Sequence, residues 1–216
     1  MYQSLVFVAR SVPSENELHC LVTQLTDKQP IAAKVVRNGR VICIVSAARA
    51  IAPKTVTIDT NAFEFRRVEI VQPHAAQAGD IATVSTQLCY TINKTAKGGA
   101  KGHTVSPIDA YGRIKPDCKA HFLAYLEKQT GLAGLLDGAA EIVITPWAMP
   151  VDDARKSKVW FVGAMALTVR ARVGNPTVFN TLAGVAIGNR RSYGFGAVSC
   201  DMLEKAPATE LAYEAA

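Results

Sequence analysis

Residues 4–46 read SLVFVARSVPSENELHCLVTQLTDKQPIAAKVVRNGRVICIVS, and the order of patterns within them decides the fold. Ser4 to Arg10 is rich in Val and Phe, the composition of a buried strand, and Pro13 ends it. Ser14-Glu15-Asn16-Glu17 is a capping box: the Ser14 hydroxyl can accept from the Glu17 amide while Glu17 reaches back. Leu18, Leu21, Val22 and Leu25 follow at helical spacing and give one apolar face. Ala33 to Arg37 and Val41 to Ser46 flank Asn38-Gly39, the strongest short-range hairpin signal. Strand, helix and hairpin open a ferredoxin-like βαββαβ unit, and Phe63 to Val71 supplies its closing strand. The stretch around Pro53 has poor periodicity, so the second helix of this unit lacks a clear signal.

The second half repeats the scheme more loosely. Ile81 to Ile92 reads as a strand, and Asn93 to Pro107 as a polar loop rich in Gly and Lys. Asp117 to Thr130 reads as a helix with Phe122, Tyr125 and Leu126 as its apolar set. Ala140 to Ile144 and Val159 to Val173 read as strands joined by a charged connection, Asp152 to Lys158. Pro176 suits the first turn of a short helix through Leu182. A glycine-rich loop and a strand from Gly194 to Ser199 follow.

The chain has 216 residues, 49% apolar and 19% charged, which is a globular composition with room for one large domain or two small ones. The longest apolar stretch, Val159 to Val169, is too short to cross a bilayer, and residues 1–10 lack the pattern of a secretory signal. The expectation is a cytoplasmic protein without membrane contact. Cys20, Cys43, Cys89, Cys118 and Cys200 are an odd set without a C-x-x-C pair, which disfavours a zinc site or disulfide framework and suits reduced, mostly buried thiols. The net charge of +6 is unevenly spread: residues 86–200 hold 14 basic and 7 acidic side chains, whereas residues 1–85 hold 9 and 7. A basic half fits a polyanionic partner, most often nucleic acid, and also fits a solvated basic face.

Gly184-Val185-Ala186-Ile187-Gly188-Asn189-Arg190-Arg191-Ser192-Tyr193-Gly194-Phe195-Gly196 follows a helix and enters a strand, the reverse of a dinucleotide fingerprint. No Gly-Lys-Ser/Thr ends it, so it is not a P-loop. Closely spaced glycines let a backbone approach a ligand and expose amides to phosphate, and Arg190 and Arg191 add charge there. A tight turn with surface arginines satisfies the same spacing.

Taken in order, these segments resemble the CRISPR repeat-processing endoribonucleases, specifically the CasE-like branch of type I-E systems. The resemblance covers nearly the whole chain. Met1 to Arg10 is similar to that family's first strand, and Glu17-Leu18-His19 lies where the family carries its catalytic histidine. Asp109-Ala110-Tyr111-Gly112-Arg113-Ile114-Lys115 matches a D-x-x-G-x-I-K segment ahead of a helix, and Ile187-Gly188 through Gly194-Phe195-Gly196 resembles the signature glycine-rich loop. Ala186 stands where the family loop often has Gly, and Asn16 where it has a tyrosine. Type IV systems use a related processing nuclease.

The resemblance implies an α+β fold of two tandem ferredoxin-like domains, here 1–80 with the histidine and 81–216 with the loop. It implies metal-independent cleavage at the base of a repeat hairpin, leaving a 2′,3′-cyclic phosphate and a 5′-hydroxyl, with no cofactor. The implied partners are CRISPR repeat RNA, retained as the crRNA hairpin, and the other subunits of the guided effector complex. His19 is the candidate catalytic residue, since a group titrating near neutrality can serve as acid or base. Without the resemblance it reads as a surface or capping histidine. Candidate RNA-binding residues are Arg113, Lys115 and Lys119 around the second-half helix, and Arg155, Lys156 and Lys158 on the charged connection. Gly188, Arg190, Arg191, Ser192 and Tyr193 in the loop complete that set. Arg10 and Lys28 are further candidates to reach the phosphate. The rival functions are a non-cleaving RNA-binding subunit of the same machinery and a ferredoxin-like small-molecule enzyme or regulator.

Overall fold

The Ser14–Glu17 capping box forms as its spacing predicts. In the computed structural model the Ser14 amide donates to Glu17 Oε2 at 2.7 Å and the Glu17 amide donates to Ser14 Oγ at 3.2 Å. The structure describes residues 3–26, 32–37, 40–47, 55–58, 61–94, 103–153 and 158–206. The capped helix is α1 (Glu15–Thr26), which follows β1 (Gln3–Ala9) and precedes the hairpin of β2 (Ala32–Arg37) and β3 (Val41–Ala47). The Asn38-Gly39 dipeptide itself lies outside the described residues, but the strands it joins pair antiparallel up to Arg37 opposite Val41. A short β4 (Val56–Ile58) and a long β5 (Asn61–Ile70) complete a sheet of order β2-β3-β1-β5-β4. The closing strand β5 lies beside β1, the ferredoxin-like arrangement, with β4 as an added edge. The place of a second helix, residues 48–54, lies outside the described residues.

Leu18, Leu21, Val22 and Leu25 are all buried against this sheet, beside Leu5, Phe7, Val45 and Phe63. Each such side chain contributes about 1.5–3 kcal/mol by leaving water. Together they fix the rotation of α1 and therefore the direction of every other residue on it.

The second half begins with β6 (Ile81–Leu88) and continues through β7 (Ile92–Lys94), β8 (His103–Val105), α2 (Lys119–Thr130) and β9 (Leu132–Ala133). It closes with β10 (Glu141–Asp153), β11 (Lys158–Val173), α3 (Pro176–Thr181) and β12 (Val198–Glu204). The sheet order is β10-β11-β6-β12, with β9 pairing β11. The closing strand again lies beside the first, so the second half is also βαββαβ. Phe122, Leu123 and Leu126 of α2 and Phe179 of α3 bury into one core with β6 and β11. Asn175 caps α3 by accepting from the Val178 amide at 3.2 Å, with Pro176 in the first turn.

Several boundaries differ from the sequence reading, for physical reasons. Strand β10 runs 13 residues, on through Pro146 and Pro150 to Asp153 rather than ending at Ile144, whereas β11 starts only one residue before Val159. An edge strand tolerates proline, and β10 pairs only with β11. The expected single strand from Ile81 to Ile92 splits, because the Cys89 carbonyl leaves the ladder to accept from the Asn189 amide at 2.7 Å. The ends of the polar loop pair as β7 and β8, while residues 95–102 lie outside the described set. The last strand starts at Val198 rather than Gly194, because Gly194 and Gly196 have φ of +91° and +79°, which no strand accommodates.

Those glycines belong to a loop stapled to the end of β6. The Gly196 amide donates to the Gln87 carbonyl at 2.7 Å, and the Ile187 amide donates to the Gly196 carbonyl at 2.8 Å. A β-carbon on Gly196 would lie 1.8 Å from the Ile187 oxygen. Gly196→Ala therefore combines left-handed strain with a backbone clash, and we expect a loss of roughly 2–5 kcal/mol. Urea denaturation followed by circular dichroism checks this; an unchanged midpoint would mean the loop closes some other way.

Candidate active site

The stapled loop carries a 3₁₀ turn, Arg191–Tyr193, onto α1. Arg190, which opens the turn, has φ +55°, and among the described residues it is the one non-glycine with positive φ. The turn is closed by hydrogen bonds: the Tyr193 amide donates to the Arg190 carbonyl at 3.0 Å and the Gly194 amide to the Arg191 carbonyl at 3.1 Å. A β-carbon on Gly194 would lie 3.1 Å from Leu18 Cδ2, so glycine there allows the close approach to α1.

That approach brings His19 onto the turn. His19 Nδ1 and Ser192 Oγ are 2.8 Å apart, a hydrogen bond spanning 173 positions of sequence. The His19 ring stacks on Tyr193 with centroids 4.5 Å apart and planes 6° from parallel. The Arg190 guanidinium packs over the same tyrosine at 5.6 Å from its centroid. Burial lowers the His19 pKa from its ordinary 6.5, so the ring is mainly neutral at pH 7. Among the described residues Nε2 has no hydrogen-bond partner. A neutral imidazole held at one nitrogen and open at the other is an arrangement for proton transfer.

The loop is also supported from beneath. Burial pushes the Tyr125 phenol up to about 12, against a Gly188 backbone hydrogen bond that pulls it down, so the phenol stays neutral. Tyr125 stacks on Tyr90 at 4.0 Å, and the Asn189 side-chain amide donates to Thr91 Oγ1 at 3.3 Å. A β-carbon on Gly188 would meet Leu88 Cδ1 at 2.5 Å, which is why glycine occupies that contact. Beside the turn a cleft of about 700 Å³ opens between the two sheets, lined by Ser14, Lys34, Thr86, Tyr193 and Phe195 among others.

The remaining candidates lie elsewhere. Arg113 is exposed and pairs with Asp109 at 2.8 Å, with its guanidinium 5.1 Å from the exposed Tyr111 ring. Lys115 Nζ donates to the Ser106 carbonyl at 3.0 Å, and Lys119 is exposed at the start of α2. Arg155 and Lys156 lie outside the described residues, as does Lys28; Lys158 opens β11. Arg10 is exposed just past β1. His74 is half-buried 5.4 Å from the Phe179 ring, and His121 is exposed on α2. Sequence reasoning placed Ser192 and Tyr193 with the RNA contacts. Their contact with His19 had no local signal, since nothing in the spacing ties residue 19 to residue 192.

No protein-family model matches this chain, and no curated protein matches it in sequence. Solved structures do match in fold. The CRISPR-associated protein Cas6e from Escherichia coli K-12 is 18% identical with a TM-score of 0.52, covering 95% of this chain and 100% of that one. Thermus thermophilus Cse3, bound to an RNA representing a pre-cleavage complex, is 13% identical with a TM-score of 0.56, covering 95% and 99%. A chain of a CRISPR RNA-guided surveillance complex is 11% identical with a TM-score of 0.53, covering 94% and 100%. At these identities the likeness is one of fold: over nearly all its length the chain has the tandem ferredoxin-like fold of the CRISPR-associated protein Cas6e and the CRISPR endoribonuclease Cse3.

Proposed function

We propose that this chain is a CRISPR repeat-processing endoribonuclease that cuts its transcript at the base of the repeat hairpin. The observation that carries this reading is the neutral His19 ring, held by Ser192 and Tyr193 where the glycine-rich loop meets α1. It stands on the fold of proteins named as CRISPR endoribonucleases, and the basic second half suits a structured RNA read through its phosphates and 2′-hydroxyls. The first ferredoxin-like unit, within 1–80, supplies the histidine. The second, within 81–216, supplies the loop and most of the cationic surface.

In the proposed reaction His19 Nε2 takes the proton of the 2′-hydroxyl upstream of the cut. The 2′ oxygen forms a bond to phosphorus, the bond from phosphorus to the 5′ oxygen breaks, and that oxygen leaves as a hydroxyl with a proton from solvent. The products are a 2′,3′-cyclic phosphate and a 5′-hydroxyl. The chain's own residues supply the proton transfer and the binding charge, so no cofactor enters the scheme. The hairpin product stays bound, and the protein enters the crRNA-guided effector complex with it.

Incubation with the repeat RNA of its own locus tests this. Cleavage is expected in EDTA and is expected to stop when a 2′-deoxy nucleotide precedes the cut; loss of activity on chelation would overturn the metal-free scheme.

His19→Ala is expected to slow single-turnover cleavage by roughly 10²-fold or more, the scale of a general acid–base group, with RNA affinity little changed. Because burial lowers the histidine pKa and the base must be neutral, the parent rate should rise with pH and its acid limb should turn below 6.5. A variant that cuts at the parent rate rejects the assignment.

Replacing Arg190 and Arg191 together by Ala is expected to weaken RNA binding and flatten its salt dependence. Each lost phosphate contact lowers the slope of log affinity against log salt by about 0.7–0.9, so two contacts remove about 1–2 units. Filter binding at several salt concentrations reads this directly. An unchanged slope and affinity would take both arginines out of the RNA interface.

A further inference from the structure

We propose that Ser192 and Tyr193 are positioning residues that set both the orientation and the tautomer of His19, leaving Nε2 as its one reacting nitrogen. This rests on the reading of His19 as the proton-transfer group. The two contacts divide the work. Stacking at 4.5 Å with planes 6° apart confines the imidazole to a plane parallel to the Tyr193 ring. Within that plane the ring could still turn over and exchange its nitrogens for carbons. The Ser192 Oγ contact at 2.8 Å to Nδ1 removes that freedom.

The hydrogen bond also suits the proton transfer. In the proposed tautomer Nδ1–H donates to Ser192 Oγ across the 2.8 Å contact, which leaves the Nε2 lone pair to react. When Nε2 accepts the 2′ proton, Nδ1–H still donates to the same oxygen, so no partner has to move between the two states. A hydroxyl is neutral, so it can accept from Nδ1–H without the charge that a carboxylate would add to raise the basicity of the ring. The burial-lowered pKa of His19 agrees with such a partner.

The turn is built to hold these two side chains. Its backbone is tied at both ends by the Tyr193-to-Arg190 and Gly194-to-Arg191 bonds. Arg190 keeps a left-handed backbone, and its guanidinium lies over Tyr193. A left-handed arginine persists only where its surroundings over-determine it. Here the surroundings are the Asn189-to-Cys89 tie on one side and the Tyr193 ring on the other.

The test uses the full chain with ¹⁵N-labelled histidine, free of RNA, above the His19 pKa. The parent is expected to show His19 with a protonated Nδ1 and an unprotonated Nε2. Ser192→Ala is expected to move these shifts toward a mixture of tautomers and to slow single-turnover cleavage by about tenfold, the scale of one lost hydrogen bond. RNA affinity should hold. Ser192→Thr, which keeps the hydroxyl, should restore both the shifts and the rate. Tyr193→Leu, which loses the ring face, is a second variant with the same expected direction, and thermal melting confirms that each variant is folded. Parent-like shifts and rates in Ser192→Ala and Tyr193→Leu overturn the assignment. A loss of affinity equal to the loss of rate also overturns it, since both residues would then be RNA contacts only. The nitrogen shifts are read without RNA or cleavage, so they stand or fall separately from His19→Ala, which tests the catalytic reading itself.

Discussion

A β-carbon on residue 196 would lie 1.8 Å from the Ile187 carbonyl oxygen, and the placement of the active-site turn depends on there being none. With glycine, the Gly196 amide reaches the Gln87 carbonyl and its own carbonyl receives the Ile187 amide. The loop between those residues is thereby tied back on the end of β6, and its tip can project only toward the first sheet. Gly188 makes a second close approach, to Cys89, and ties the start of the loop as Gly196 ties its end. Between them the Arg191–Tyr193 turn is delivered as a rigid piece. A precise side-chain geometry on a loop needs such support, because an untied loop would spread Ser192 and Tyr193 over many positions.

The other partner is rigid for a different reason. Helix α1 is held by apolar burial, with four side chains keyed into the first sheet. His19 follows Leu18, so the burial of Leu18 sets where the imidazole emerges, and Gly194 packs on that same leucine. One apolar contact thus spaces the two bodies, and one polar contact orients the reactive ring. Burial at this junction lowers the His19 pKa, and the Arg190 guanidinium lies over the Tyr193 ring on which the imidazole stacks. The proposed function asks for proton transfer and anion binding side by side, and these need opposite surroundings, one desolvated and one cationic.

Much of the architecture was legible in local pattern. The capping box, the stripe from Leu18 to Leu25, the hairpin around Asn38-Gly39 and the Pro176 helix start all rest on interactions within a few residues, and all formed. The misreadings share a cause. Pro146 and Pro150 hid the length of β10 because edge position, not composition, makes them tolerable. Cys89 ended β6 because of a partner 100 positions away, which no window along the chain contains.

The same division holds at the site. Spacing and residue chemistry by themselves determined that His19 sits on a capped amphipathic helix and that a glycine-rich loop bears two arginines, whereas His19 became the candidate only through the family resemblance. Only the tertiary structure decided that Ser192 holds Nδ1, that Tyr193 lies flat on the imidazole, and that Arg190 covers the tyrosine. The physical reason is range. Helical periodicity and capping act over three or four residues, whereas the His19–Ser192 hydrogen bond spans 173 and exists only where the loop after α3 packs on α1.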